Sequence, residues 1–354
     1  MIVPVDSQLA VFSHGCIQFR FPYERMDMSE GNGRTRPPVE ILDIPFAAPP
    51  DYRPPPPPKD SLWPALILFL LTVVSTLAVG AEFGLSYAQN REPFSGYENP
   101  WALMLLPFEH PALLAMGIPF SFTLLLILFT HEMGHYVACR IYGINASYPY
   151  FIPAPTLLGT FGAFIRIRSP ITTRRALFDV GLAGPVAGFL VTLPALAYGV
   201  ASSRIVPGAE ESSAVVFGHP LLERLLCAQF HPRVDVTWLL LNPVGRAAIV
   251  GLLVTAMNLL PAWQLDGGHI MYSLTSERHP RVSLAASLAL IGLGIRAWNG
   301  WAAWGIILLI LSLRFKHPPV YDPWQPIDPA RRLWAFGALA IFVLSFTPWP
   351  VTLQ

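Results

Sequence analysis

The stretch Leu124–Tyr142, LLLILFTHEMGHYVACRIY, constrains this chain more than any other. It carries His131-Glu132-Met133-Gly134-His135, the pattern H-E-x-x-H. An apolar run leads straight into it, which predicts a helix. On a helix, residues four apart share a face, so His131 and His135 can offer both imidazoles to one metal ion. Glu132 sits beside the first ligand, placed to act as general base toward a water at that metal. The residues from Ala112 to Thr130 are uncharged and mostly apolar. A soluble protease would carry the motif on an amphipathic helix; here the sequence puts the site at a membrane. The plainer alternative is two interfacial histidines and a snorkelling glutamate at a helix end. Ionisable groups inside apolar helices are costly, which favours function.

Of 354 residues, 53% are hydrophobic and 13% charged, whereas a soluble domain carries about 25% charged residues. The chain therefore reads as a polytopic membrane protein. A net charge of +1 gives no reason to expect nucleic acid or a strongly acidic partner. Cys16, Cys139 and Cys227 are too few and too scattered for a disulfide framework. No basic region followed by an apolar core marks a signal peptide, and Met26 and Met28 are alternative starts. Residues 1–60 are expected to form a mostly disordered, proline-rich cytoplasmic tail. Its run Pro54–Pro58 is a stiff spacer, or else a ligand for a proline-recognition module.

About seven transmembrane helices are expected: Leu62–Gly80, Ala112–Tyr142, Leu177–Ala201, Arg246–Gln264, Val282–Ala297, Gly300–Leu313 and Leu333–Pro348. The fifth and sixth form a hairpin turned at Trp298-Asn299-Gly300. Ala81–Pro111, with Trp101, reads as an interfacial, partly helical loop, and Ser202–Gly245 as a polar loop with solvated histidines. From Tyr148 the chain runs YPYFIPAPTLLGTFGAFIRIRSPITTRRA, rich in aromatic and β-branched residues with Gly and Pro. It reads as strand-like with a turn near Leu158–Thr160. Residues 165–168 alternate apolar and basic. They fit an exposed edge that pairs with an unwound substrate, and equally an interfacial loop whose arginines meet lipid headgroups. The fold class is thus all-α and polytopic, with one small strand-like membrane-associated segment. The chain divides into the tail (1–60), a membrane-embedded domain (61–313), and a basic loop with a last span (314–354).

The fourth span runs into Asn258-Leu-Leu-Pro261-Ala-Trp-Gln-Leu265-Asp266-Gly267-Gly268-His269. Pro261 breaks the helix and the glycines permit a sharp turn. Asp266 is an ordinary turn aspartate or a third metal ligand. Beside an intact H-E-x-x-H the ligand reading is favoured, giving a His₂–carboxylate site with a position open for water. Cys139 continues the histidine stripe, yet three ligands along one straight helix spread over roughly 12 Å and cannot close on one ion. Cys139 is therefore expected to be a buried, small apolar residue, and His269 a loop histidine facing water. Gly181, Gly184 and Gly188 are expected to seat the third span against the motif helix. With a cytoplasmic N-terminus, the inside segments hold most of the Arg and Lys, as the positive-inside rule requires. His131, His135 and Asp266 then all fall near the cytoplasmic face.

At these residues the chain resembles the site-2 protease family of intramembrane zinc metalloproteases. The resemblance rests on His131–His135 and on Asn258-x-x-Pro261-x-x-x-Leu265-Asp266-Gly267, supported by Gly159-Thr-Phe-Gly162 and Gly184-Pro185-Val-Ala-Gly188. It covers roughly Leu62–Leu313. It implies a three-helix catalytic core from the second, third and fourth spans, and one Zn2+ per chain on His131, His135 and Asp266. Glu132 would be the general base. Asn258 would be an oxyanion donor, or else only a residue that caps the helix end. The chain departs from the family at its edges, with no PDZ-like insert between the metal motifs.

The implied activity is cleavage of a peptide bond in or near a transmembrane helix of another membrane protein, in an inner cell membrane. Substrate residues such as Gly, Pro or Asn would ease local unwinding. The rival readings are a catalytically inactive homologue that binds helices as a scaffold, and a metal or ion transporter. Few charges inside the other spans count against transport. A prenyl-protein endopeptidase would need a downstream glutamate ligand, and only Glu277 follows Pro261.

Overall fold

A computed structural model describes residues 61–94, 110–208, 215–320, 322 and 324–353. The expected tail (1–60) and Trp101 of the expected interfacial loop lie outside the described residues. Those described belong to one unit, Pro58–Gln354.

Helices dominate. α1 is Leu62–Ala88 and α2 is Leu114–Ile141, entered through a 3-10 turn at Pro111–Leu113. α3 is Arg174–Ala201, and its N-cap Thr173 accepts from the Ala176 N–H. After the short α4, Leu221–Phe230, comes α5, Pro243–Asn258. Asn242 caps α5 by accepting from the Gly245 N–H, with Pro243 in the first turn, where its missing N–H costs nothing. α6 is Asp266–Leu274, α7 is His279–Arg296 and α8 is Asn299–Arg314. α9, Pro329–Ser345, repeats the Asx-cap and proline start through Asp328.

Among the described residues, three helices are long and apolar enough to cross a membrane: α1, Pro111–Ile141 with α2, and α3. α5 and α8 are apolar but only 16 residues long, about 24 Å against a hydrocarbon core of about 30 Å. The fourth span is thus shorter than the expected Arg246–Gln264, because the chain leaves the helix at Leu259, two residues before Pro261. Apolar surface is no driving force between helices in lipid, so small residues set the contacts. A β-carbon on Gly134 of α2 would lie 2.4 Å from the Ala183 carbonyl of α3. One on Gly199 of α3 would lie 2.3 Å from the Gly245 Cα of α5. These helices pack backbone to backbone.

The chain is not purely helical. β1 (Tyr150–Pro153) pairs antiparallel with β2 (Thr160–Phe164), with Tyr150 opposite Phe164 and Ile152 opposite Gly162. The strand-like segment and its turn fall where expected. The hairpin is docked on α1: Phe151 meets Phe69 edge-on at 5.1 Å, and Ser75 Oγ donates to the Gly159 carbonyl at 2.6 Å. Gly159 has φ +77 and sits against the backbone of Ser75 and Thr76, where a side chain would not fit. Two further sheets were not expected. β3 (Arg204–Ile205) pairs with β5 (Leu239–Leu240), and β4 (Val215–Phe217) pairs with β6 (Val351–Leu353). The described parts of 202–245 are therefore no polar loop: they hold short strands and a helix, and their histidines are engaged. His231 Nε2 donates to the Val200 carbonyl at 2.8 Å, and His219 Nδ1 lies 3.0 Å from Glu223.

Loops gather on two faces. On the motif side, Arg174 donates to the Ser273 and Leu274 carbonyls, the Asp322 N–H bonds the Thr172 carbonyl, and Arg175 reaches Pro326. On the far side, Tyr87 and Arg204 tie the end of α1 to the end of α3, and Glu92 pairs with Arg246 at 2.5–2.6 Å. α1 reaches past Gly80 to Ala88, so Glu82 is a buried helix residue, accepting from Ser86 Oγ at 2.6 Å. Trp301 Nε1 donates to the Thr347 and Pro348 carbonyls on that same far side. Arg331 at the start of α9 holds Asp179 near the start of α3, whereas β6 pairs with β4 beyond the other end.

Candidate metal centre

His131 and His135 lie buried one turn apart on α2, with Glu132 beside them. Asp266 is the first residue of α6 rather than part of a plain turn. Its Oδ2 is 3.1 Å from His131 Nε2, and its Oδ1 is 3.3 Å from His135 Nε2. Two motifs 135 positions apart thus meet. The ligand atoms of His131, Glu132 and His135 also lie within 4.8 Å of one another.

The donor set can be tested for a cation. His135 Nδ1 is 2.7 Å from the Val180 carbonyl, which can only accept. A neutral His135 therefore has its lone pair on Nε2, and that lone pair faces a carboxylate oxygen. Two acceptors at this separation need a cation or a proton between them. In a tetrahedral site with bonds of 2.0–2.1 Å, ligand atoms sit about 3.3 Å apart. The observed 3.1 and 3.3 Å match that spacing, so the residues fit a small divalent metal.

Local structure explains the placement. A β-carbon on Gly184 would lie 2.1 Å from His135 Nε2, and one on Gly188 would lie 3.1 Å from His131 Cβ. The α3 glycines are thus the wall against which both imidazoles rest, as expected of a packing stripe. Gly267 and Gly268 let α6 start against the Leu259–Trp263 backbone, which a β-carbon on either would strike at 2.1–2.5 Å. Trp263, between Pro261 and Asp266, holds the left-handed φ of +48. A non-glycine residue there costs of order 1–3 kcal/mol. Two α7 side chains clamp it: Ser283 Oγ accepts from the Trp263 N–H at 2.8 Å, and His279 Nε2 donates to its carbonyl at 3.1 Å.

Asn258, the last residue of α5, brings Nδ2 to 3.4 Å from His131 Nε2. It is at the site and not only at the helix end. The cavity here is about 190 Å³, room for several waters at about 30 Å³ each. It is lined by Glu132, Asn258, Asp266, the end of β2 (Ala163 and Phe164) and Ile165 and Ile167 just after it. Ile165 thus borders the cavity that Glu132 faces. Among the described residues β2 pairs with β1 alone, which leaves its other edge without a strand beside this cavity.

Cys139 is fully buried among Ala138, Ile144, Ala176 and Val180 and is no ligand. His269 departs from expectation: it is on α6, not in a watery loop, with Nδ1 2.8 Å from His317 Nε2. The sequence gives no signal for the Val180 carbonyl or for His317. Backbone groups leave no residue-type signal, and His317 lies 48 positions from its partner.

Residues 119–295 match the model of Peptidase family M50. The chain is 31% identical over 300 residues, 80% of its length, to the probable zinc metalloprotease EGY1, chloroplastic, of Arabidopsis thaliana, covering 52% of that protein. It is 29% identical to the rice (Oryza sativa subsp. japonica) protein of the same name, over 80% of this chain and 50% of the relative. It is also 29% identical to the probable zinc metalloprotease EGY2, chloroplastic, of Arabidopsis thaliana, over 70% of this chain and 44% of the relative. The chain thus spans about half the length of these curated relatives. The family match runs through both halves of the metal cluster and the three helices that hold it, and the chain belongs to peptidase family M50, the site-2 protease family.

Proposed function

We propose that this protein is a membrane zinc metalloendopeptidase that cuts a peptide bond in or near a transmembrane helix of another protein, as in regulated intramembrane proteolysis. One observation carries the reading. His131, His135 and Asp266 meet at the spacing of a tetrahedral metal site, beside Glu132, late in an apolar helix. The relatives' names as zinc metalloproteases support the choice of metal.

Zinc on these three residues would supply a Lewis acid for the scissile carbonyl and for water. Glu132 takes a proton from the attacking water and returns it to the leaving nitrogen. Asn258 Nδ2 donates to the carbonyl oxygen as charge builds there, a contribution of roughly 3 kcal/mol in a dry site. The open edge of β2 takes the unwound substrate as an added strand, satisfying backbone groups that lipid cannot.

We read the protein as crossing the membrane about seven times. α5, α7, α8 and α9 run between the same two faces as α1, α2 and α3, and basic residues gather on the motif face. That face is then cytoplasmic, in an inner cell membrane, and water reaches the metal by a short path. The domain division at residues 60 and 313 follows the same scheme. The test is zinc-loaded Glu132→Ala in detergent with a model transmembrane substrate. It is expected to hold zinc and lose cleavage; retained cleavage overturns the mechanism.

A further inference from the structure

Beside the metal cluster, a second group of rings reaches the same cavity through His269. His269 Nδ1 and His317 Nε2 are 2.8 Å apart, and His317 Nδ1 is 2.8 Å from the Pro318 carbonyl. A carbonyl oxygen only accepts, so His317 Nδ1 carries its hydrogen. A neutral His317 then has its lone pair on Nε2, and the hydrogen between the rings belongs to His269 Nδ1. A neutral His269 is left with an acceptor at Nε2. Burial, against the pull of the Asp266 carboxylate and with the neighbouring histidines, pushes His269 down to about 4, and burial with His269 beside it pushes His317 to about 3, so both are neutral at pH 7.

The two rings are held from several sides. Tyr272 stacks on His317 at 4.0 Å and 13°, and His279 meets it edge-on at 5.1 Å. A β-carbon on Gly181 of α3 would lie 2.9 Å from His269 Cβ, so α3 closes that side of His269. His269 also lines the cavity that Glu132, Asp266 and the end of β2 line.

We propose that His269 is a substrate-positioning residue: its Nε2, held as an acceptor by His317, takes a backbone N–H of the peptide bound beside Glu132. An unwound helix exposes N–H groups that have lost their partners, and a strand added to β2 satisfies only those on one side. A fixed neutral acceptor suits one of the others. A cation there would repel the metal, and a donor would compete with the Asn258 amide for the carbonyl. This inference rests on the metalloprotease reading.

The test uses zinc-loaded Glu132→Gln, full chain in detergent, with carboxymethylated casein as an unfolded polypeptide probe. Nitrogen-15 NMR of the histidines is expected to show His269 Nε2 without hydrogen at pH 7, shifting toward a hydrogen-bonded acceptor when casein is added. His317→Phe keeps the stack on Tyr272 but cannot accept. It is expected to release His269 into both tautomers and to weaken casein binding about tenfold, the worth of one hydrogen bond. His269→Phe should bind as weakly, and His269→Gln, which retains an acceptor, should recover binding. An Nε2 that carries hydrogen, an Nε2 signal that casein does not move, or unchanged binding in both phenylalanine variants overturns the proposal. Zinc-loaded wild type that binds casein with the Nε2 shift yet cleaves neither it nor a transmembrane peptide counts against the metalloprotease reading alone.

Discussion

Gly184 lies flat against the His135 imidazole, so close that a β-carbon would stand 2.1 Å from Nε2. The smallest added group must therefore displace a metal-facing ring. Gly184→Ala is expected to weaken zinc binding at least ~10-fold, the scale of losses when a ligand's support is removed. Gly188→Ala meets His131 at 3.1 Å and should cost much less. Zinc titration of both variants in detergent checks the order, and equal affinities would show that the α3 wall yields freely.

Zinc content tests the ligand set directly. Wild-type protein should carry about one zinc per chain, lose it to a chelator and regain activity on readdition. His135→Ala and Asp266→Ala should both lose the metal. Asp266→Ala with full zinc would place the third ligand elsewhere.

The Glu92–Arg246 pair on the far side is almost wholly buried, with side chains 2% and 6% exposed. Arg246→Ala removes the cation paired with this buried carboxylate and should destabilise by about 3–5 kcal/mol, whereas Glu92→Leu with Arg246→Met should recover most of that loss. Thermal unfolding in one detergent compares the three. A double variant no better than Arg246→Ala would refute the desolvation argument.

Arg331 offers a contrast. It holds Asp179 of α3 and the α9 cap Asp328, but these groups are about a quarter exposed. Solvent screening leaves such exposed pairs worth little. Arg331→Ala should barely move the unfolding midpoint, yet it should speed amide exchange in the first turn of α9. A loss as large as that of Arg246→Ala would mean the network acts as a buried one.

Much of the centre was legible because its chemistry is tied to spacing. His131 and His135 must be four apart to share a helix face, and Asp266 needs its two glycines to approach the α5 backbone. The hairpin at 150–164 declared itself by β-branched and aromatic residues between Gly and Pro. What escaped notice depends on tertiary contact. Glu82 and Glu92 looked like interfacial charges, since only the fold brings Ser86 and Arg246 to them. The stretch 202–245 looked polar because its strands are two or three residues long and find partners far along the chain. His269 looked solvated because its imidazole partner comes from a distant loop. The length of α5 was overread because apolarity continues past the residue where the helix ends.

The pairing of β4 with β6 also sets an order of assembly. Val215–Phe217 must wait for Val351–Leu353, with all of α4 to α9 made in between. The ribosome therefore delivers both metal-binding motifs long before the far face can close. During that interval the apolar edge of β4 is without its neighbour while the helices around the metal can already meet. A chain arrested before residue 351 would hold a formed metal centre under an open roof, so the maturity of this protein is decided at the face opposite its chemistry.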